Sequence, residues 1–339
     1  MDQQTHPFSR RDFVKGGGVL LGGLAASSTP GLAARGVGAD APAPLKVPDS
    51  ELGRTGARVS RLGIGCAYFQ RKHVTPDDVS ATLHRALDLG INYLDTAPTY
   101  GNPETGFAEE KMGRAMAEVR DKVFLVTKTE EPTYEGTWKL LRQSMKRMRT
   151  GRIDLVHLHN FGDEKLWGDT KLVFGDRGAM GALREAKRQG VIRFIGASGH
   201  LHPTRFHQAL DSGEIDVLMN AVNFVVQHSY DFEHKVWSRA RHMNLGLVAM
   251  KVLGGAVREQ GGFKVDEKYY EKAIRYALSI PGLSVAVIGL ENIAELEKAA
   301  SVVARAGPLS PEEGLDLARI GLDLAGSPEW KTAYGTPLA

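Results

Sequence analysis

Short apolar runs alternate with helical periodicities along most of this chain. The runs fall at residues 62–67, 91–95, 123–128, 153–159, 192–198, 217–224, 245–252 and 285–290. Each is apolar at consecutive positions rather than at every second one, which predicts strands covered on both faces. Between the runs, apolar residues recur every three or four positions. Thr75-Pro76-Asp77-Asp78 supplies a cap, a first-turn proline and acidic residues, the signature of a helix start. Val79, Leu83, Ala86 and Leu87 then share one face, and Gly90 stops the helix. The same periodicity predicts helices over 109–119, 134–149, 180–189, 203–212, 234–243, 268–279 and 293–306. Ahead of the first strand, residues 47–60 read as a short hairpin turning between Gly53 and Gly56. A final helix over 312–324 and a tail containing Trp330 follow the eighth unit.

Strict alternation of strand and helix argues for a parallel sheet. Eight such units in about 250 residues favour a closed (β/α)8 TIM barrel, class α/β, over an open doubly wound sheet. No GxGxxG follows the first strand, which weakens the doubly wound alternative further. The barrel is expected to occupy residues 45–339, with the hairpin before it and one extra helix after it.

Composition narrows the function classes. With 339 residues, 42% hydrophobic and 24% charged, the chain is an ordinary globular protein. The net charge of +3 and the lack of a basic run with interleaved aromatics argue against nucleic acid as a partner. A single cysteine, Cys66, excludes an intrachain disulfide and a thiolate metal site. Its setting in LGIGCA predicts a small buried filler. No metal is expected.

Residues 1–44 do not share the alternating pattern. Ser9 to Gly17, SRRDFVKGG, pairs Arg10 with Arg11 ahead of Phe13 and Lys15, and a Gly/Ala/Leu stretch runs on to Ala26. This closely resembles a twin-arginine signal peptide, too short and glycine-rich for a stable membrane span. The resemblance implies that residues 9–26 engage the twin-arginine translocation machinery and that the protein works in the periplasm or another extracytoplasmic space. Small residues suited to cleavage occur at 32–34 and 39–41. That route carries folded proteins, which suits a chain without disulfides.

Candidate chemistry gathers at strand ends, where a parallel barrel places its active site. The second strand ends at Asp95, the third at Lys128 and the fourth at His159, and Tyr100 lies on the loop after the second. Period-two alternation puts Tyr93 with Asp95, and Phe124 and Val126 with Lys128, on one face. His157 shares the face of His159 one layer deeper and is expected to be a core histidine satisfied by a neighbour. Asp95 and Lys128 alone could be a structural ion pair, because buried charges must be paired whether or not they do chemistry. Tyr100 and His159 beside them give a different prospect. A lysinium lowers the pKa of an adjacent phenol, and a carboxylate keeps that lysine charged. His159 can donate to a substrate oxygen or steer the phenol's proton. Such a site can protonate a developing alkoxide but holds no electrons of its own, so a hydride donor must bind nearby.

The segments ELGRTGARVSRLGIG, NYLDTAPTYG, VTKT, RIDLVHLHN, VIRFIGAS and VIGLENIAELE resemble the aldo-keto reductases over residues 47–306. The resemblance implies a small-molecule carbonyl or alcohol substrate, a catalytic tetrad of Asp95, Tyr100, Lys128 and His159 with Tyr100 as general acid, and NADP or NAD as cofactor. It carries over to the cofactor only in part. Ser198 is followed by Gly199 where the family has Asn against the nicotinamide amide, and Asn223 offers a partial substitute. Lys251, Gly254 and Gly255 resemble the loop along the pyrophosphate. Gly289, Glu291, Asn292 and Glu295 stand where NADP-preferring members carry basic residues. Two carboxylates would repel a 2′-phosphate, whereas a carboxylate can accept a hydrogen bond from a ribose hydroxyl. A weaker preference for NADP than usual, or NAD in its place, is therefore expected. Tyr68, Phe69, Phe161, Trp167 and Trp330 are candidate aromatics around the mouth. Two further readings stay open at this point: a Schiff-base lyase on Lys128, and a non-catalytic nicotinamide-binding sensor or partner subunit.

Overall fold

Asp49–Glu51 pairs antiparallel with Arg58–Ser60, and this hairpin leads into eight parallel strands. They are β1 (Leu62–Gly65), β2 (Tyr93–Asp95), β3 (Phe124–Thr129), β4 (Ile153–Leu158), β5 (Ile192–Gly199), β6 (Val217–Ala221), β7 (Gly246–Met250) and β8 (Leu283–Gly289). Each pairs with its sequence neighbour and β8 closes on β1, which makes the (β/α)8 barrel the alternation predicts. The computed structural model describes residues 45–256 and 262–334. The expected leader at 1–44 lies outside the described residues.

Helices α1 (Pro76–Asp88), α2 (Ala108–Val119), α3 (Tyr134–Met148), α4 (Glu164–Trp167), α5 (Thr170–Phe174), α6 (Ala179–Arg188), α7 (Phe206–Asp211), α8 (Ser238–His242), α9 (Tyr270–Leu278), α10 (Ile293–Arg305), α11 (Pro311–Ala325) and α12 (Pro328–Tyr334) follow in chain order. The cap read at Thr75 is a full capping box with Asp78. Three predicted helices are composite. Residues 203–205 and 267–269 are 3-10 turns leading into α7 and α9, and a π-turn at Glu233–Trp237 leads into α8. The short α4 and α5 and the terminal α12 are invisible to periodicity, because four to seven residues carry too little repeat to register.

Strand ends were overestimated for local reasons. The run at 217–224 stops pairing at Ala221, and the run at 245–252 stops at Met250, where Lys251 adopts φ +57°. These early exits bend the chain into the loops that ring the C-terminal mouth.

Apolar residues form two layers. Inside the barrel, Tyr93 stacks on Phe124 at 5.5 Å between ring centroids, and Phe124 on Phe194 at 6.2 Å. Val126, Leu155, Met219, Val248 and Val285 complete that layer. Leu52 and Val59 of the hairpin join it and close the N-terminal end. The closure needs Gly53, which takes φ +49° and whose Cβ would sit 2.3 Å from the Gly246 amide. The outer layer lies between strands and helices. Cys66 is buried there, as its apolar context predicts.

Candidate active site

The barrel sets the first part of the site by register. Gly65 pairs with Asp95, Asp95 with Val126, and Lys128 with His157. Asp95 and Lys128 thus rise from neighbouring strands onto the same inner face. Lys128 Nζ donates to Asp95 Oδ1 and to the Thr96 carbonyl, both at 2.7 Å. Both side chains are almost wholly buried. The same ammonium lies 5.0 Å from the centroid of the Tyr100 ring. His159 meets Tyr100 edge-on, with ring centroids 6.1 Å apart. The structure therefore brings Asp95, Tyr100, Lys128 and His159 together at one mouth.

The Tyr100 loop is braced from behind. Arg147 of α3 donates to the Pro98 carbonyl at 2.8 Å and lies over the Phe107 ring. It also faces the buried Glu109 at 3.6 Å, which accepts from Thr127 Oγ1 at 2.7 Å. The Ala108 amide closes the loop onto the Tyr100 carbonyl at 2.9 Å.

Burial and charge divide the protonation states. The Tyr100 pKa is raised, because burial outweighs the neighbouring Lys128 ammonium. Lys128 does pull it down, as expected, but burial outweighs that pull, and the residue is held as a phenol with a proton to give. For Lys128, burial pulls the pKa down, but Asp95 and Tyr100 more than offset it and leave it raised. Asp95 holds Lys128 as an ammonium, a poor nucleophile, which disfavours the Schiff-base reading. Burial lowers the His159 pKa against the opposing influence of Glu130. His157 is lower still, chiefly through burial and then Lys128. Among the described residues, neither ring nitrogen of His157 has a hydrogen-bond partner. The neighbour expected to satisfy it is not found there.

Glu130 escaped the sequence reading. Its Oε1 lies 2.7 Å from His159 Nδ1. A signal was present: Glu130 follows Lys128 by two residues in TKTEE, so the alternation that aims Lys128 at the mouth favours Glu130 there too.

The candidate mouth aromatics divide sharply. Tyr68 is 38% exposed, while Phe69, Phe161, Trp167 and Trp330 are at most 1% exposed. Phe161 packs among Trp167, Phe174 and Phe206. The Trp167 indole N–H donates to the His159 carbonyl at 2.7 Å, so it steadies that residue from behind. Trp330 stacks on Tyr334 and donates to Ser229 Oγ at 2.7 Å. These four fill loop cores instead of lining the mouth.

The candidate cofactor residues also separate. Asn223 is fully engaged within its loop: Oδ1 accepts from the Val225 and Val226 amides, and Nδ2 donates to the Lys251 carbonyl. It is no substitute contact for a nicotinamide amide. Ser198 is buried on β5, its Oγ 3.5 Å from the Leu158 carbonyl. Lys251 sits beside Gly254 (φ +77°) and Gly255 (φ +114°), where a Cβ on Gly255 would touch its side chain. Burial and the Lys128 ammonium hold its pKa down to about 8. A Cβ at Gly289 would strike the Tyr68 ring at 2.4 Å, so the glycine lets that ring cover the end of β8. At the start of α10, Asn292 caps the Glu295 amide and Glu295 Oε2 accepts from the Glu291 amide. Glu291 pairs with Arg71 at 2.9 Å and faces His73 at 3.3 Å. Among the described residues no cluster of side chains could hold a metal ion.

Comparison with known proteins agrees with the fold. L-galactose dehydrogenase of Arabidopsis thaliana is 24% identical over 74% of this chain and 86% of its own. An aldo-keto reductase structure from Pseudomonas aeruginosa superposes with a TM-score of 0.63 at 26% identity, over 77% of this chain and 96% of that one. The holo form of AKR11C1 from Bacillus halodurans shares the fold, with a TM-score of 0.66 at 22% identity over 81% and 96%. The model of the aldo/keto reductase family matches residues 61–264. This chain belongs to the aldo/keto reductase family and is an oxidoreductase built on a (β/α)8 barrel.

Proposed function

We propose that the protein is an NAD(P)-dependent oxidoreductase that interconverts an aldehyde or ketone and its alcohol, with Tyr100 as general acid. The observation that carries this reading is the buried Asp95–Lys128 pair at 2.7 Å, with its ammonium beside the Tyr100 ring. Aldo/keto reductases use nicotinamide cofactors. A bound nicotinamide supplies the hydride for reduction and receives it in oxidation.

The residues of the chain then handle one proton. Tyr100 gives its phenolic proton to the substrate oxygen as negative charge develops there. The phenolate left behind is stabilised by Lys128, which Asp95 and the Thr96 carbonyl hold in place. Carbonyl, hydride and proton together give the alcohol, and the reverse direction uses the same groups. The alcohol of a sugar belongs in the substrate panel, because the relative named L-galactose dehydrogenase acts on one.

NAD is the proposed preference. Lys251 and the glycines of its loop would face the diphosphate. At the α10 start, the Glu291 amide is already taken by Glu295, and Glu291 itself is taken by Arg71 and His73. A 2′-phosphate there would have to compete with Glu291 for Arg71 and would meet the Glu295 carboxylate. Dissociation constants for NADH and NADPH decide this point: NADH is expected to bind more tightly, and a strong NADPH preference would refute it.

Export by the twin-arginine route rests on SRRDFVKGG. Its test is fractionation of cells expressing wild type and the Arg10→Lys, Arg11→Lys double variant. Retention of the variant in the cytoplasm is expected; equal export would sink the assignment. For the activity, turnover is measured with a panel of aldehydes, ketones, sugars and alcohols with both dinucleotides. Dinucleotide-dependent turnover is expected; a folded protein that binds dinucleotide but turns over none of the panel would favour the sensor reading.

A further inference from the structure

Three polar side chains behind the mouth tie the strand that carries Lys128 to the loop that carries Tyr100. Glu109 lies in the first turn of α2 and is wholly buried. Its Oε1 accepts from Thr127 Oγ1 at 2.7 Å, and Thr127 directly precedes Lys128 on β3. Strand alternation explains the division: Lys128 turns to Asp95 at the mouth, and Thr127 turns outward to α2. Glu109 Oε2 faces Arg147 Nη1 at 3.6 Å, an ion pair too long for a hydrogen bond. The hydrogen bond of that same Nη1 goes to the Pro98 carbonyl at 2.8 Å, two residues ahead of Tyr100.

A second link runs through the backbone. The Ala108 amide, next to Glu109, donates to the Tyr100 carbonyl at 2.9 Å, and the Tyr100 amide donates to the Ala97 carbonyl at 3.1 Å. Tyr100 is thus held at its own backbone and at Pro98, and both holds lead back to Glu109. The Phe107 ring backs the guanidinium, whose carbon lies 3.4 Å from the ring centroid. A buried ion pair adds little net stability over apolar residues of the same size, but removing one partner leaves an uncompensated charge and frees whatever the pair held.

We propose that Glu109 is a positioning residue: through Thr127 and Arg147 it holds the Tyr100 phenol in place beside the Lys128 ammonium, and so governs proton delivery without touching substrate. Thr127 ties the carboxylate to the strand of Lys128, and Arg147 passes that anchor on to the loop. A reacting group displaced by about 1 Å loses up to about 10²-fold in rate, even when the change lies far from the chemistry. This inference rests on the oxidoreductase reading and deepens it by naming what fixes the proton donor.

The deciding experiment is a double-mutant cycle on single-turnover hydride transfer, with Glu109→Leu made in the wild type and in Tyr100→Phe. Glu109→Leu is expected to slow the step by about 10- to 100-fold in the wild type. In Tyr100→Phe, where no phenol remains to be positioned, it should slow it by less than about twofold. Where Glu109→Leu does not fold, the Glu109→Leu, Arg147→Met double variant takes its place, because it leaves no lone buried charge. Hydrogen exchange of the Tyr100 and Ala108 amides gives a readout independent of turnover. Both should exchange at least about tenfold faster in the variant, with the amides of β7 across the barrel unchanged. An unchanged hydride-transfer rate in the folded variant, or an equal loss in the Tyr100→Phe background, overturns the inference. A wild type that binds dinucleotide but transfers no hydride overturns the oxidoreductase reading instead. The exchange rates then decide the hold of Glu109 on the loop: faster exchange supports it, and unchanged exchange overturns it.

Discussion

Two carboxylates lie buried at opposite ends of the barrel, and they solve the same electrostatic problem differently. Asp154, at the N-terminal end of β4, meets Arg120 and Arg193 at 2.8 Å each and accepts from the Leu125 amide at 2.9 Å. Its cations are guanidiniums, which stay charged at any ordinary pH. Asp95, at the C-terminal end of β2, meets one lysine. That lysine adjoins a phenol with a raised pKa, and an imidazole with a lowered one stands close by. The lower cluster locks charge in place, whereas the upper one surrounds its charge with groups that can gain or lose a proton. Burial of an ion pair therefore says little about function; the titratability of its neighbours says more.

Removing one cation from each end should separate the two roles. Lys128→Met leaves Asp95 buried without its partner. We expect a loss of about 3–5 kcal/mol of stability, together with at least a hundredfold fall in kcat/KM. Denaturant unfolding and turnover of the surviving folded fraction measure both. At the other end, Arg120→Met should destabilise by a few kcal/mol, since Arg193 still balances Asp154, with kcat/KM of the folded enzyme within about threefold of wild type. A large fall in kcat/KM for folded Arg120→Met would abolish the contrast.

A smaller effect concerns pH. His157 is neutral and buried in the fold, with its pKa well below the usual histidine value. Between that lowered value and an unfolded pKa near 6.5, the unfolded chain binds the extra proton. This contribution to stability is thus complete above about pH 6.5 and declines as pH falls below it, by up to about 1.4 kcal/mol per pH unit. His157→Leu should flatten the acid side of the stability profile by that slope. It should cost little at neutral pH, because among the described residues neither ring nitrogen has a partner to lose. An unchanged acid slope would show that other groups dominate it.

What the sequence revealed and concealed follows the physics of each feature. The barrel was legible because eight apolar runs and the helices between them repeat the same signal, and strand ends in such a barrel face one mouth. Asp95, Lys128 and His159 were legible for that reason. The aromatic loop residues were not. A ring on a loop satisfies the same hydrophobic demand whether it lines a pocket or plugs the loop beneath it, and only the fold shows Phe161 and Trp167 packed behind the site. The direction of the Tyr100 shift was hidden because a neighbouring cation can be guessed from sequence but depth of burial cannot. Asn223 misled because an asparagine that ties a loop together looks the same in sequence as one that waits for a ligand.

The central claim is that the Tyr100 phenol supplies the proton in the hydride-transfer step. Single-turnover kinetics of Tyr100→Phe, measured beside its dinucleotide affinity, test this most directly. The account predicts a step slowed by about 10²- to 10⁴-fold, with the dissociation constant for the dinucleotide nearly unchanged. A variant that transfers hydride at the wild-type rate would contradict it.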